Sequence, residues 1–151
     1  MPQSLSAVYL HLVFSTEGRR PFLRDSQLRG ELHAMLAGIS NGLDCPAIQV
    51  GGVEDHVHVL SRFGRTVAQA DWVRDLKRAS TTWIKTREPS LAEFAWQNGY
   101  ATFSVSRSKL DVVTRYIRDQ ETHHGRVTFC DELCKLLRRH SIEWDERYLW
   151  D

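Results

Sequence analysis

Two histidines separated by one residue open the chemical reading of this chain. They lie in Asp55-His56-Val57-His58-Val59-Leu60. In an extended strand, residues two apart share a face, so His56 and His58 project together while Val57 and Val59 turn the other way. Paired imidazoles can supply half of a metal site. The same pattern also suits two histidines on the wet face of a sheet. As neutral, partly exposed imidazoles they would contribute little to fold stability, because exposed positions tolerate substitution within about 0.5 kcal/mol.

A second group of chemically capable residues lies in Arg115-Tyr116-Ile117-Arg118-Asp119-Gln120-Glu121-Thr122-His123-His124. Read as a helix, Leu110, Val113 and Ile117 form its apolar stripe, and Tyr116, Gln120 and His123 share one flank beside it. A phenol, with a resting pKa near ~10, is a poor base but a usable nucleophile. Attack by Tyr116 on a phosphodiester would leave a covalent phosphotyrosine. A metal on the non-bridging oxygens would stabilise the developing charge. Two imidazoles and one amide could hold such an ion and leave coordination positions open. The alternative is a partly buried tyrosine with polar neighbours at the edge of a packed helix.

These groups need elements to position them. Residues 7–14 are β-branched and aromatic and predict a buried strand, broken by Gly18 and Pro21. Residues 22–43 predict a helix, with Leu28, Leu32, Met35, Leu36 and Ile39 at spacings of three and four. Residues 46–53 and 56–63 predict a hairpin turning at Glu54-Asp55. Residues 66–87 predict a second helix ended by Pro89, with Val73, Leu76, Ser80, Trp83 and Ile84 inward. Residues 99–106 alternate as a half-buried strand, with Ala101, Phe103 and Val105 on one face. A third helix is expected over 108–124, opened by Ser108 with Asp111, and a fourth opens at Thr128 with Asp131. The order β-α-β-β-α-β-α-α predicts an α+β fold in a single domain over 1–151. It is a ferredoxin-like split βαβ with a mainly antiparallel sheet and two additional C-terminal helices, the first carrying Tyr116.

Bulk composition narrows the setting. Hydrophobic residues at 42% and charged residues at 26% of 151 suit one ordinary core. The net charge of +1 points to no partner by itself. Residues 62–88, however, carry seven cations against three anions. Arg74, Lys77, Arg78 and Lys85 are therefore candidates to touch a phosphate backbone, although charged helix faces are usually only solvated. Trp72, Trp96 and Trp144 are candidates for base stacking, with Trp83 better placed in the core. Cys45, Cys130 and Cys134 form no CxxC pair and read as small packing residues in a reducing compartment. The apolar run at 7–14 is too short for a bilayer, so no membrane is expected and the location is taken as cytoplasmic. No GxxxxGK[ST] loop occurs, so no nucleotide cofactor is expected.

The residues resemble one family closely. His11-Leu12-Val13-Phe14-Ser15-Thr16, the Asp-His-Val-His motif at 55–58, Leu76-Lys77, Trp96-Gln97-Asn98-Gly99-Tyr100, Phe103-Ser104-Val105-Ser106 and the Tyr-Ile-x-x-Gln-Glu-x-His-His motif at 116–124 occur in this order. Together they are similar to the HUH single-tyrosine transposases of the insertion sequence 200 type and their REP-associated relatives. The resemblance implies that His56, His58 and Gln120 bind a divalent metal, Mg2+ or Mn2+. It implies that Tyr116 is the nucleophile that cuts and rejoins single-stranded DNA beside hairpins, in a homodimer whose tyrosine helix can complete the partner's site. Imidazole ligands alone lean instead towards zinc or other transition metals. One departure is visible: Glu17 stands where relatives typically place a lysine, followed by Arg19 and Arg20. His11 and His33 read as packing or hydrogen-bonding residues, whereas His123 and His124 could approach the DNA or the metal or cap the helix C-terminus, the structural role being preferred. A non-catalytic nucleic-acid-binding regulator, or a phosphodiesterase that uses water, would share this scaffold.

Overall fold

The computed structural model describes residues 2–151. Its centre is β1 (Tyr9–Ser15), paired antiparallel with β3 (His56–Arg62) on one side and with β4 (Ala101–Val105) on the other. β2 (Ala47–Gly52) adds antiparallel to β3, and the sheet order is β2-β3-β1-β4. This is the expected ferredoxin-like split βαβ, and every pairing in the sheet is antiparallel. The hairpin between β2 and β3 turns at Glu54-Asp55, closed by Val53 N–H donating to His56 O at 3.2 Å.

One face of the sheet is covered by α1 (Ser26–Gly42) and α2 (Gln69–Arg87). α1 starts later than its apolar pattern, because the Asp25 side chain accepts from the Gln27 amide and caps the helix there. Leu10, Leu12 and Phe14 of β1 and Val57 and Val59 of β3 meet Leu32, Leu36, Trp72, Leu76 and Ile84 in this core. Trp72 is fully buried with its indole N–H on Ser40 Oγ, and the Trp96 indole donates to Ser80 Oγ. Neither ring can stack on a base. They fill the core because each indole nitrogen finds a hydroxyl partner there.

The opposite face carries the chemistry. It is roofed by α3 (Leu110–Arg118), α4 (Gln120–His124) and α5 (Phe129–Arg139). The single helix expected over 108–124 is broken at Asp119, whose φ of −94° and ψ of 22° leave the helical range. Ser108 does not cap it. A short turn over Arg107–Lys109 precedes α3, and the Ser108 hydroxyl pairs with that of Ser106. The cap at Thr128 forms as the motif predicts, its hydroxyl accepting from the Asp131 amide at 3.2 Å. α3 sits very close to β2: a Cβ built on Gly51 would lie 2.4 Å from Ile117 O, so this approach needs glycine.

Candidate metal and tyrosine site

Strand alternation sends His56, His58 and Leu60 of β3 and His11 of β1 towards the α3–α5 roof. His56 and His58 are completely buried, not on a wet face, and His11 is 4% exposed. Replacing either β3 histidine therefore disturbs the interior, contrary to the mild effect expected of a surface imidazole.

Tyr116 descends from α3, its ring edge-on to His58 at 5.7 Å between centroids. Gln120 is buried just past the break at Asp119, with Oε1 3.1 Å from His56 Nε2. The four residues singled out from the sequence thus converge on one spot. At its middle stands a residue the sequence reading missed, Glu132 of α5. Its carboxylate accepts from Tyr116 Oη and, at 3.1 Å, from Gln120 Nε2 through Oε2. Oε1 lies 3.0 Å from His58 Nε2, 3.3 Å from His56 Nε2 and 3.1 Å from His124 Nε2. His123 Nε2 is 3.3 Å from Oε2. Both His123 and His124 therefore belong to the site rather than only to a helix end. The signal that could have found Glu132 is weak: it is an acidic residue on the buried side of an amphipathic helix, beside Phe129, Leu133 and Leu136.

The environment sets the proton positions. Burial opposes charge on His56, but hydrogen bonds to Asp55 and Glu132 outweigh it and raise its pKa to about 9. Burial dominates at His58 and lowers it to about 4, despite Glu132. Burial and the neighbouring His58 hold His11 well below the usual imidazole value. Burial also opposes charge on Glu132, yet hydrogen bonds from His124, His56 and His58 keep it far below the ordinary carboxylate range. Burial and the adjacent Glu132 charge push the Tyr116 phenol above its ordinary value, so it rests protonated.

The donor set fits a divalent ion. One ligand atom each from His56, His58, His124 and Glu132 lies within 4.8 Å of the others, with the Gln120 amide oxygen adjoining. Beside Tyr116 opens a cavity of about 610 Å³, lined by His11 and Phe103 and by the exposed Lys109, Lys135 and Arg139.

The fold and the motif order meet a known pattern here. The family model described as "Transposase IS200 like" matches residues 4–120. The chain belongs to the IS200-like transposase family. Among solved structures, this transposase is similar to a candidate transposase from Deinococcus radiodurans R1, at 22% identity and a TM-score of 0.65, covering 80% of this chain and 95% of that one. It is also similar to a REP-associated tyrosine transposase bound to a REP hairpin, at 14% identity and a TM-score of 0.60, covering 84% and 74%. No curated protein matches it. At these identities the two structures support the shared fold. The family match stops at Gln120, twelve residues before Glu132.

The basic residues of α2 divide. Arg74 is engaged by Asp71 and Asp75. Lys77 Nζ donates to the carbonyls of Gln97, Asn98 and Gly99 at 2.7, 3.2 and 2.7 Å, and burial lowers its pKa to about 8. Two fragments of the family resemblance, Leu76-Lys77 and Trp96-Gln97-Asn98-Gly99, therefore hold each other in place. Arg78 and Lys85 are exposed.

Proposed function

We propose that this transposase cleaves and rejoins single-stranded DNA beside hairpins, through a phosphotyrosine on Tyr116, with a divalent metal, Mg2+ or Mn2+ by family resemblance, held by His56, His58 and Gln120. The observation that carries this reading is the convergence of the Tyr116 hydroxyl with two buried imidazoles and the Gln120 amide above one spot on the sheet. When bound, the ion would draw charge from the scissile phosphate. Tyr116 Oη attacks phosphorus as the P–O3′ bond breaks, and its proton, relayed by Glu132 Oε2 rather than kept there, passes to the leaving oxygen, which becomes a free 3′ hydroxyl. The 5′ phosphate stays on Tyr116, so the bond energy is kept for rejoining and no nucleotide is consumed.

The strand reaches Tyr116 through the adjoining cavity, where Lys109, Lys135 and Arg139 would meet its phosphates. Arg78 and Lys85 remain candidates for a more distant backbone contact. Arg74 and Lys77 are less available, since both are already engaged. A homodimer, as the resemblance implies, acting in the cytoplasm completes the proposal. Among the described residues, no helix is long and apolar enough to cross a membrane.

The test is incubation with a hairpin-bearing single strand and Mn2+, followed by a denaturing gel. Wild type should give a covalent adduct, and Tyr116→Phe should give none while keeping hairpin affinity. Tyr9→Phe, Tyr100→Phe and Tyr148→Phe should still form it. Cleavage by Tyr116→Phe at the wild-type rate would return the reaction to water or another nucleophile.

A further inference from the structure

The imidazoles of the site share one construction. His56 Nδ1 is held by Asp55 Oδ1 at 2.7 Å, His124 Nδ1 by the Val127 carbonyl at 2.5 Å, and His58 Nδ1 by His11 Nε2 at 2.7 Å. For His56 and His124 the partner accepts, so Nδ1 carries a hydrogen and Nε2 is the nitrogen turned inward. That nitrogen faces acceptors: His56 Nε2 meets Gln120 Oε1 and Glu132 Oε1, and His124 Nε2 meets Glu132 Oε1. The buried His124 Nε2 makes no aligned hydrogen bond there, although it lies 3.1 Å from that oxygen. Acceptor against acceptor is repulsive unless a proton or a cation lies between them. Fixing the outer nitrogen by a carboxylate or carbonyl so that the inner one ligates is how metal-binding histidines are oriented.

We propose that His124 and Glu132 are ligands alongside His56 and His58, giving a site of three imidazoles and one carboxylate that selects a transition-metal ion over Mg2+. This rests on the metal reading of the proposed function and departs from the ion that family resemblance implies. Three nitrogen ligands suit Zn2+ or Co2+, whereas Mg2+ is hard, prefers oxygen and keeps its waters. Glu132 would ligate through Oε1 and keep Oε2 for the Tyr116 hydroxyl, so one carboxylate ties the ion to the nucleophile. His124 leaves the α4 end and Glu132 the first turn of α5, so ion binding would also pin the roof over the sheet.

The test uses the full chain, freed of metal by a chelator and titrated separately with Co2+, Zn2+ and Mg2+. Affinity is read by calorimetry, and ligand geometry by the visible absorption of bound Co2+. Wild type should bind Co2+ and Zn2+ at least about a hundredfold more tightly than Mg2+. His124→Ala and Glu132→Gln should each weaken Co2+ by at least about tenfold and alter its absorption band, since even outer partners are worth that much. Circular dichroism reads folding, and His124→Ala, which leaves the Glu132 carboxylate in place, serves if Glu132→Gln unfolds. If His56→Ala loses Co2+ while His124→Ala and Glu132→Gln titrate like wild type, this ligand assignment is wrong and the His56, His58 and Gln120 reading stands. Equal affinity for Mg2+ overturns the selectivity. If wild type binds none of the three ions, both readings fall.

Discussion

Glu132 changes what each residue around it does. Without it, Tyr116 would be a phenol beside neutral imidazoles. With it, the phenol has a proton acceptor, and the imidazoles of His56, His58 and His124 face a carboxylate. A buried carboxylate that loses a partner is left undercompensated, which typically costs about 3–5 kcal/mol. His56→Ala should therefore lower the stability of the metal-free protein by a few kcal/mol in urea unfolding, as well as abolishing cleavage. Gln120→Ala should be milder in both, since water can take the place of an amide oxygen. A His56→Ala protein as stable as wild type would mean that the cluster is not coupled to folding. His56 and His58 share a face as local strand alternation requires, whereas Tyr116 and Gln120, which lie on either side of the break at Asp119, were singled out with them chiefly by the motif order of the family resemblance. Glu132 was not, because nothing within α5 says which buried surface it will face.

At the scale of elements, two local fits matter, one in the roof and one in α1 of the other helix layer. The first is the contact of α3 with β2 at Gly51. An added methyl there meets the Ile117 carbonyl and its side chain, and backbone cannot yield as a flexible side chain would. Gly51→Ala should cost about 1–3 kcal/mol and should slow cleavage more than it weakens hairpin binding, because α3 carries Tyr116. Full activity in that variant would show that α3 has slack. The second is the packing around His33 of α1, whose Nε2 is buried without a partner and whose pKa burial lowers to about 4. Its folded value lies below the unfolded value of 6.5, so the stability linked to its neutral form is complete above 6.5. That stability is lost as pH falls from 6.5 towards 4. His33→Leu should flatten part of the acid limb of a thermal-melting profile, by up to about 3 kcal/mol. An unchanged limb would assign it to other buried groups, His11, His58 and Glu132 among them. The hairpin, the Thr128 cap and the helix-strand order were readable in advance because each has a turn or capping signal. The break at Asp119 has none: no glycine or proline marks it, and only the demand that Tyr116 and Gln120 both reach the sheet makes sense of it.

At the scale of the whole molecule, the family resemblance implies a homodimer in which the tyrosine helix can complete the partner's site. Here α3 packs on its own chain, with Ile117 and Leu110 against Leu60, and Tyr116 reaches its own Glu132. A dimer can still form through another face, but it is not needed to bring the nucleophile to these histidines. The difference is measurable by mixing two inactive proteins. Tyr116→Phe keeps the imidazoles and loses the nucleophile; His56→Ala keeps the nucleophile and loses the imidazole. If Tyr116 acts on its own chain's site, no protomer in the mixture has both parts, and no adduct should appear at any ratio. If the tyrosine helix crosses to a partner, a mixed dimer pairs an intact His56 with an intact Tyr116, and the adduct should return to a fraction set by the share of mixed dimers. The packing of α3 predicts the first outcome. Sedimentation of the same samples, with and without the hairpin, shows whether dimers were present, so that a null result from mixing is assigned to geometry rather than to absence of assembly. Restored adduct would show that the roof can leave its own sheet, and that the close fit at Gly51 describes one of two positions of α3.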